Sequence, residues 1–241
     1  MKFEDLFSDA FQQLRASFQT AEGLLQPMVG KMLSTDSRFC KEAVTAGQIT
    51  LEGMQRAAQR YRLGKSRSGE TVFWMIDQNQ RVRDAIVSDT WASLLLKERG
   101  LIDQHWCPQH CLFGLHLLGH TDLTDHTDLK SICIIESVQS CVILSERFPK
   151  SLWMATGYLA NLNEWLFLPL KGHHIVCFPA TDPTGDTYLL WLSVAKEARK
   201  YGIDIRVSRL LEDQASPTQK EQCVDLVDFV FGTQISQKSQ I

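Results

Sequence analysis

The chain has 241 residues, 44% of them hydrophobic and 22% charged, and its formal net charge is −3. This length and hydrophobic content are sufficient for a folded core. No apolar run reaches the roughly 18 residues of a membrane span, and no basic region followed by an apolar stretch comes after Met1, so we expect a cytoplasmic protein with no membrane partner. The seven cysteines are an odd number and lie mostly in apolar segments, which favours reduced core thiols over a disulfide framework.

The first 55 residues are predicted to form an N-terminal helical segment. Aromatic and aliphatic residues recur there at steps of three and four, the spacing of one helix face: Phe3, Phe7, Phe11, Leu14 and Phe18. Such a face usually packs into a core, and the alternative is that it binds a protein partner.

Two shorter helices should follow. One carries Phe39, Ala43 and Val44. The other begins near Thr50, a suitable N-cap residue, and buries Met54, Ala57 and Tyr61.

The pattern then changes to the alternation of a β-hairpin. Val72, Trp74 and Ile76 alternate with their neighbours, a polar turn occupies residues 77–80, and the alternation resumes at residue 82. A helix over residues 89–99, carrying Trp91, Leu94 and Leu95, should complete a second segment, residues 56–105.

This second segment is basic. Residues 56–83 contain seven basic residues and two acids, a surplus of five positive charges. Basic loops beside aromatic residues can follow phosphates and stack on bases. We therefore take four residues of the hairpin as candidates for nucleic-acid binding: Lys65, Arg67, Arg81 and Arg83. The alternative is a solvated surface hairpin without a partner.

A cysteine and histidine motif follows. The spacing of Cys107, Cys111, His116 and His120 fits a tetrahedral zinc site, for which four nitrogen or sulfur ligands suffice. However, His116 lies among leucines, so the same residues also fit the start of a buried helix.

The third segment, residues 106–241, has an α/β pattern. Four apolar runs, residues 132–135, 152–155, 175–178 and 203–207, are separated by stretches of helix length. This predicts a mainly parallel sheet with helices on both faces. Ligands of such sheets bind at the carboxyl ends of the strands, where Glu136, Gly157 and Asp182 fall.

These residues resemble the Toprim domain of bacterial primases, topoisomerases and nucleases: a glutamate after the first strand, a glycine after the second and a Pro-x-x-Asp turn after the third. The longer run over residues 55–232 resembles primase-related proteins of bacterial mobile elements, which are classified mainly as a domain of unknown function. The expected fold is thus a Toprim-like sheet preceded by the hairpin and the N-terminal helices.

The resemblance implies a metal-dependent phosphoryl-transfer site, in which Glu136 acts as acid or base and an Asp-x-Asp pair holds magnesium, a hard cation that prefers oxygen ligands. Here the pair reads Ala180-Thr181-Asp182, so the first acid is missing, and the lysine that relatives often place after the Glu-Ser pair is also missing. Asp186 is the residue that would replace the lost ligand. The alternative for Asp182 is a turn or helix N-cap role.

Three functions remain open. The first is a non-catalytic, degenerate Toprim-like protein that binds nucleic acid or assists replication or mobilisation and needs no cofactor. The second is a primase- or nuclease-like enzyme that uses Mg or Mn held by Glu136, Asp182 and Asp186. The third is a module that binds a protein partner through the N-terminal helix. Ala180 favours the first.

Overall fold

The computed structural model describes residues 21–119 and 131–232. The chain divides into two compact units, residues 1–125 and 126–241. The predicted helix that contains Phe3 and Phe18 lies outside the described residues. Within the described ranges, no helix has both the length and the apolar character needed to cross a membrane.

The first unit contains a four-stranded antiparallel sheet in the order β1-β2-β3-β4. The strands are β1 (Gly64–Lys65), β2 (Thr71–Ile76), β3 (Val82–Val87) and β4 (Thr90–Trp91). The described helices are α1 (Ala21–Leu25), α2 (Arg38–Thr45), α3 (Leu51–Arg60) and α4 (Ala92–Glu98). Trp74 of β2 lies opposite Ala85 of β3, so the predicted hairpin is confirmed.

The two short helices are also as predicted. The Thr50 hydroxyl accepts the Gly53 amide at 3.0 Å and so caps α3, because the first N–H groups of a helix have no partner inside it. Met54, Ala57 and Tyr61 are buried, and so are Phe39 and Ala43 on α2.

The predicted helix over residues 89–99 was too long. Ser88 and Asp89 have φ angles of 49° and 56° and form a tight two-residue turn between β3 and β4, so α4 begins only at Ala92. Within α4, Leu94 is 47% exposed, whereas Leu96 is buried.

Both faces of this sheet are covered. Val72, Trp74 and Ile76 of β2 belong to a buried cluster with α1 and Leu96. On the other face Phe73 packs against Phe113, with ring centroids 5.9 Å apart, and Phe113 stacks on Tyr61 at 5.0 Å. Residues 106–119, which the sequence pattern grouped with the α/β segment, therefore belong to the first unit.

The second unit contains a four-stranded parallel sheet in the order β6-β5-β7-β8, which confirms the predicted α/β fold. The strands are β5 (Ile132–Ile135), β6 (Leu152–Ala155), β7 (His174–Cys177) and β8 (Asp204–Val207). The helices are α5 (Val138–Arg147), α6 (Asp186–Lys200), α7 (Leu210–Gln214), α8 (Pro217–Glu221) and α9 (Leu226–Phe231), with 3-10 helices at Leu159–Asn161 and Glu164–Leu170.

The strand order reverses direction between β5 and β7. From β5 the chain moves through α5 to β6 on one side, and from β7 it moves through α6 to β8 on the other. Because such crossovers are right-handed, α5 and α6 cover opposite faces of the sheet. A reversal of this kind leaves a crevice at the carboxyl ends of the two central strands, which is where open α/β sheets bind ligands.

Candidate functional site

The carboxyl edge of the parallel sheet carries the three loops that the sequence singled out. Glu136 directly follows β5, and its backbone carbonyl accepts the Gly157 amide, just past β6, at 3.0 Å. The amide of Phe178, the first residue after β7, donates to Ile134 of β5 at 2.8 Å. The loop that leads to Asp182 therefore starts beside the strand that ends at Glu136.

Asp182 organises the start of α6. Its Oδ1 accepts the backbone amides of Thr184, Gly185 and Asp186 at 2.8, 2.7 and 3.2 Å, and its Oδ2 accepts the Thr187 amide at 2.7 Å. Asp186 and Thr187 are the first two residues of α6, whose amides have no partner within the helix. The N-cap position of α6 is Gly185, so Asp182 accepts these amides from three residues earlier, in the turn before the helix, which agrees with the alternative of a turn or capping role.

These hydrogen bonds also stabilise the charge of Asp182. Partial burial raises the pKa of its carboxyl group, but the hydrogen bonds from Thr184 and Thr187 outweigh this effect and hold the pKa well below the ordinary value. The carboxylate is therefore ionised at neutral pH, with its negative charge directed at the positive end of the α6 dipole.

The other proposed ligands have local partners as well. Glu136 is half-buried and its Oε1 accepts the Leu159 amide at 3.2 Å, while Asp186 accepts the Thr184 hydroxyl at 2.7 Å. Across residues 21–119 and 131–232, no group of three or more His, Cys, Asp or Glu side chains is arranged to hold a metal ion. As arranged, Glu136, Asp182 and Asp186 do not fit a magnesium site, which needs several convergent oxygen ligands.

Residues 224–225 contact both the loop after β7 and the helix after β5. The buried Thr181, which follows β7, donates its backbone amide to the Val224 carbonyl at 2.9 Å, and its hydroxyl donates to the same oxygen at 3.2 Å. On the β5 side, the hydroxyl of Ser140 in the first turn of α5 donates to Asp225. Residues 224–225 therefore join the loop after β7 to α5.

Asp225 is a residue that the sequence analysis missed. Its Oδ1 accepts the amides of Val227 and Asp228 and so caps α9, while its Oδ2 reaches Ser140. The local signal was present, since an aspartate followed three residues later by a second acid, at the start of an apolar run, is a helix N-terminus pattern. The contact with Ser140, 85 residues away in sequence, had no local signal.

In the first unit, two of the four candidate nucleic-acid-binding residues have ion-pair partners. Lys65 Nζ lies 2.9 Å from both carboxylate oxygens of Asp36. Arg83 contacts Asp77 at 2.8 Å and Glu22 at 2.7 Å, and its side chain is only 18% exposed. Burial lowers the pKa of Arg83, but the hydrogen bonds with Glu22 and Asp77 outweigh it, so the net shift is upward. Arg83 is therefore a structural cation.

Arg67 and Arg81 are exposed but lie at opposite ends of one strand. Arg67 is in the β1–β2 loop, before β2, and Arg81 is in the β2–β3 turn, after it. Because β2 has six residues, the two loops are separated by about 20 Å along the strand. The four basic residues thus do not form one continuous surface.

The cysteine and histidine motif is dispersed. Cys107 is exposed, Cys111 is buried, and His116 is buried with its Nε2 3.2 Å from the Arg60 carbonyl. Burial raises the pKa of the Cys111 thiol, which opposes the thiolate that zinc needs. His120 lies outside the described residues, and residues 115–119 form a 3-10 helix rather than the start of an α-helix.

Comparison with known proteins identifies a family for this chain. No curated protein matches the chain. One family model, described as a domain of unknown function (DUF6371), matches residues 42–181, more than half of the chain. The match begins in α2, includes the antiparallel sheet and β5 to β7, and ends at Thr181, directly before the capping residue Asp182. The chain therefore belongs to the DUF6371 family, a domain of unknown function.

Proposed function

We propose that the protein is a non-catalytic nucleic-acid-binding protein, an accessory factor of replication or mobilisation, in which a Toprim-like second unit serves as a scaffold. The non-catalytic part of this proposal rests on the hydrogen bonds that Asp182 accepts. Its two oxygens accept four backbone amides at the start of α6, whereas a catalytic carboxylate would present its lone pairs to a metal ion.

The contacts of the C-terminal residues support the same conclusion. Thr181 and Ser140 are hydrogen-bonded to Val224 and Asp225, so this segment is fixed beside the carboxyl edge, where a parallel sheet would bind its substrate. The residue at position 180 is alanine rather than an acid, which also argues against a metal site, because each missing charge contact weakens cation binding by roughly 1 to 4 kcal/mol.

The nucleic-acid half of the proposal is supported by charge. The whole chain has a net charge of −3, yet residues 56–83 carry a surplus of five positive charges. Of the candidates there, Arg67 and Arg81 are solvent-exposed. Positive charge that is concentrated in loops of an otherwise acidic protein is suited to the phosphates of a nucleic acid.

The experiment measures binding and cleavage together. A labelled oligonucleotide, single- or double-stranded, is mixed with the full chain at low salt in EDTA or in Mn²⁺, and fluorescence anisotropy and product length are followed. We expect binding in both conditions and an intact oligonucleotide. Shortening of the oligonucleotide in Mn²⁺ would support the metal-dependent enzyme instead, and the lack of any binding would contradict the proposal as a whole.

A further inference from the structure

Folding brings two cations from outside the basic segment to the β1–β2 loop. The backbone amide of Arg38, the first residue of α2, donates to Gly69 in this loop at 2.8 Å. The Arg38 guanidinium lies 2.9 Å from Glu70. The start of α2 and the β1–β2 loop therefore form one surface, although about 30 residues separate them in the sequence.

On this surface two lysines share one acid. Lys65 Nζ lies 2.9 Å from Asp36, and Lys41 Nζ lies 3.7 Å from the same carboxylate, too far for a hydrogen bond. Hydrogen bonds from Ser34 and Lys65 lower the pKa of Asp36 to about 2, so this acid is ionised at neutral pH. One negative charge then faces two positive charges, and the Lys41 ammonium keeps its donors available for another anion.

On this surface the cations of the ion pairs are more exposed to solvent than one of the acids. The Arg38 side chain is 61% exposed and its partner Glu70 only 13%, while Lys41 is 65% exposed. The cations thus face solvent, and one of the two acids lies beneath them. We name this set the α2-loop surface: Asp36, Arg38, Lys41, Lys65, Arg67 and Glu70. It carries four positive and two negative charges, and the surplus is still positive when the neighbouring Glu42 is included.

We propose that the α2-loop surface is where this protein binds the phosphate backbone of a nucleic acid, with Arg38, Lys41, Lys65 and Arg67 as the contacting cations. The inference rests on the proposed nucleic-acid function and specifies its surface. Lysine and arginine provide both charge and hydrogen-bond donors to phosphate oxygens. Ser68, exposed in the same loop, adds a hydroxyl of the kind that contacts phosphates. Arg81, at the other end of β2, is not part of this surface.

The first test compares two double variants that remove the same charge. Lys41→Ala with Arg67→Ala acts on the α2-loop surface, whereas Lys150→Ala with Lys196→Ala removes two exposed cations elsewhere. Binding of a labelled single-stranded oligonucleotide is measured over a salt series. We expect the first variant to lose at least about tenfold in affinity, and its log–log salt slope to fall by about 1.4, or 0.7 per phosphate contact. The second variant should bind like the wild type.

The outcomes separate this inference from the proposed function. If the wild type binds and the control variant is the weaker of the two, the nucleic-acid function stands but the α2-loop surface is the wrong one. If the wild type does not bind, both proposals fail. A poly-glutamate peptide that competes as well as unlabelled oligonucleotide would show that the surface takes an acidic polypeptide, which also overturns the inference.

A second variant should increase the affinity for the oligonucleotide, a result that damage to the fold would not produce. Asp36→Asn removes the acid that Lys41 and Lys65 share, so both cations become more available to phosphate. We expect the affinity for the oligonucleotide to rise at least about threefold and the salt slope to steepen. Glu98→Gln makes the same charge change on an exposed residue of α4 and should leave both values unchanged. Equal gains from the two variants would show only an effect of net charge and would overturn the inference.

Discussion

The backbone amide of Thr181 donates to the Val224 carbonyl at 2.9 Å, which joins the loop after β7 to a residue 43 positions later. The contact between Ser140 and Asp225 joins the next residue to α5. In open α/β proteins the carboxyl edge beside these elements is the usual ligand site. In this protein residues 224–225 are bonded to two elements at that edge.

Asp225→Ala should destabilise the second unit. The change removes the N-cap of α9 and leaves the Ser140 hydroxyl without its acceptor, so we expect a loss of about 1 to 2 kcal/mol in the free energy of unfolding. Hydrogen exchange of the Thr181 amide should also become faster, because its acceptor Val224 is next to Asp225. Asp213→Ala, which removes only an exposed pair with Arg209, should cost less than about 0.5 kcal/mol. If the hydrogen-exchange rate of the Thr181 amide is unchanged in Asp225→Ala, other contacts keep Val224 bonded to Thr181.

Asp182→Ala should also lower stability at neutral pH. It removes the acceptor for the first amides of α6, and loss of such a cap costs about 1 to 2 kcal/mol. Chemical denaturation of the full chain measures this loss. Asp186→Ala, in the same turn, should cost about 0.5 kcal/mol, since this side chain accepts only the Thr184 hydroxyl among the described contacts. Equal losses would argue against a capping role that is specific to Asp182.

The contribution of Asp182 should depend on pH in one direction. Because its pKa in the folded chain lies below the ordinary value of 3.8, the folded state favours the ionised carboxylate. The resulting stabilisation is fully present above pH ~5 and is lost as the pH falls below the unfolded pKa. The difference in unfolding free energy between wild type and Asp182→Asn should therefore decrease between pH 5 and pH ~2. A difference that grows over this interval would contradict the assigned direction.

Arg83→Ala should be far more damaging than Arg81→Ala. The first change leaves Asp77, which is 5% exposed, and Glu22 without their cation. Breaking a buried pair costs about 3 to 5 kcal/mol, and we expect the low end, about 3 kcal/mol, because Glu22 is 34% exposed. The second removes an exposed side chain and should cost less than about 0.5 kcal/mol. Thermal and denaturant unfolding of both variants checks this. A mild effect of Arg83→Ala would return Arg83 to the set of candidate binding residues.

The sequence predicted those parts of the fold that depend on local patterns. The alternation around Trp74 fixed the hairpin, the apolar runs fixed the four parallel strands, and Thr50 marked a helix start through its own capping bond. The start of α4 was misplaced because Ser88 and Asp89 both adopt positive φ, which neither residue type demands.

The candidate sites were harder to predict because they depend on distant partners. Nothing near Arg83 indicates that Glu22, 61 residues earlier, neutralises it. Similarly, the sequence around Thr181 does not show that Val224 accepts its amide. The capping role of Asp182 was among the alternatives because its partners lie within five residues. The capping bond of Thr50 to Gly53 could be predicted because both residues are local, whereas long-range ion pairs and hydrogen bonds required the structure.

The most direct test of the central claim is the salt dependence of oligonucleotide binding by the wild-type chain, measured by anisotropy in EDTA and again in Mn²⁺. A non-catalytic protein that binds phosphates through surface cations should show log affinity falling linearly with log salt, by about 0.7 per phosphate for single strands. The two lines should coincide, because no metal takes part in the contact. Binding that is absent at low salt, or that appears only with Mn²⁺, would contradict the account.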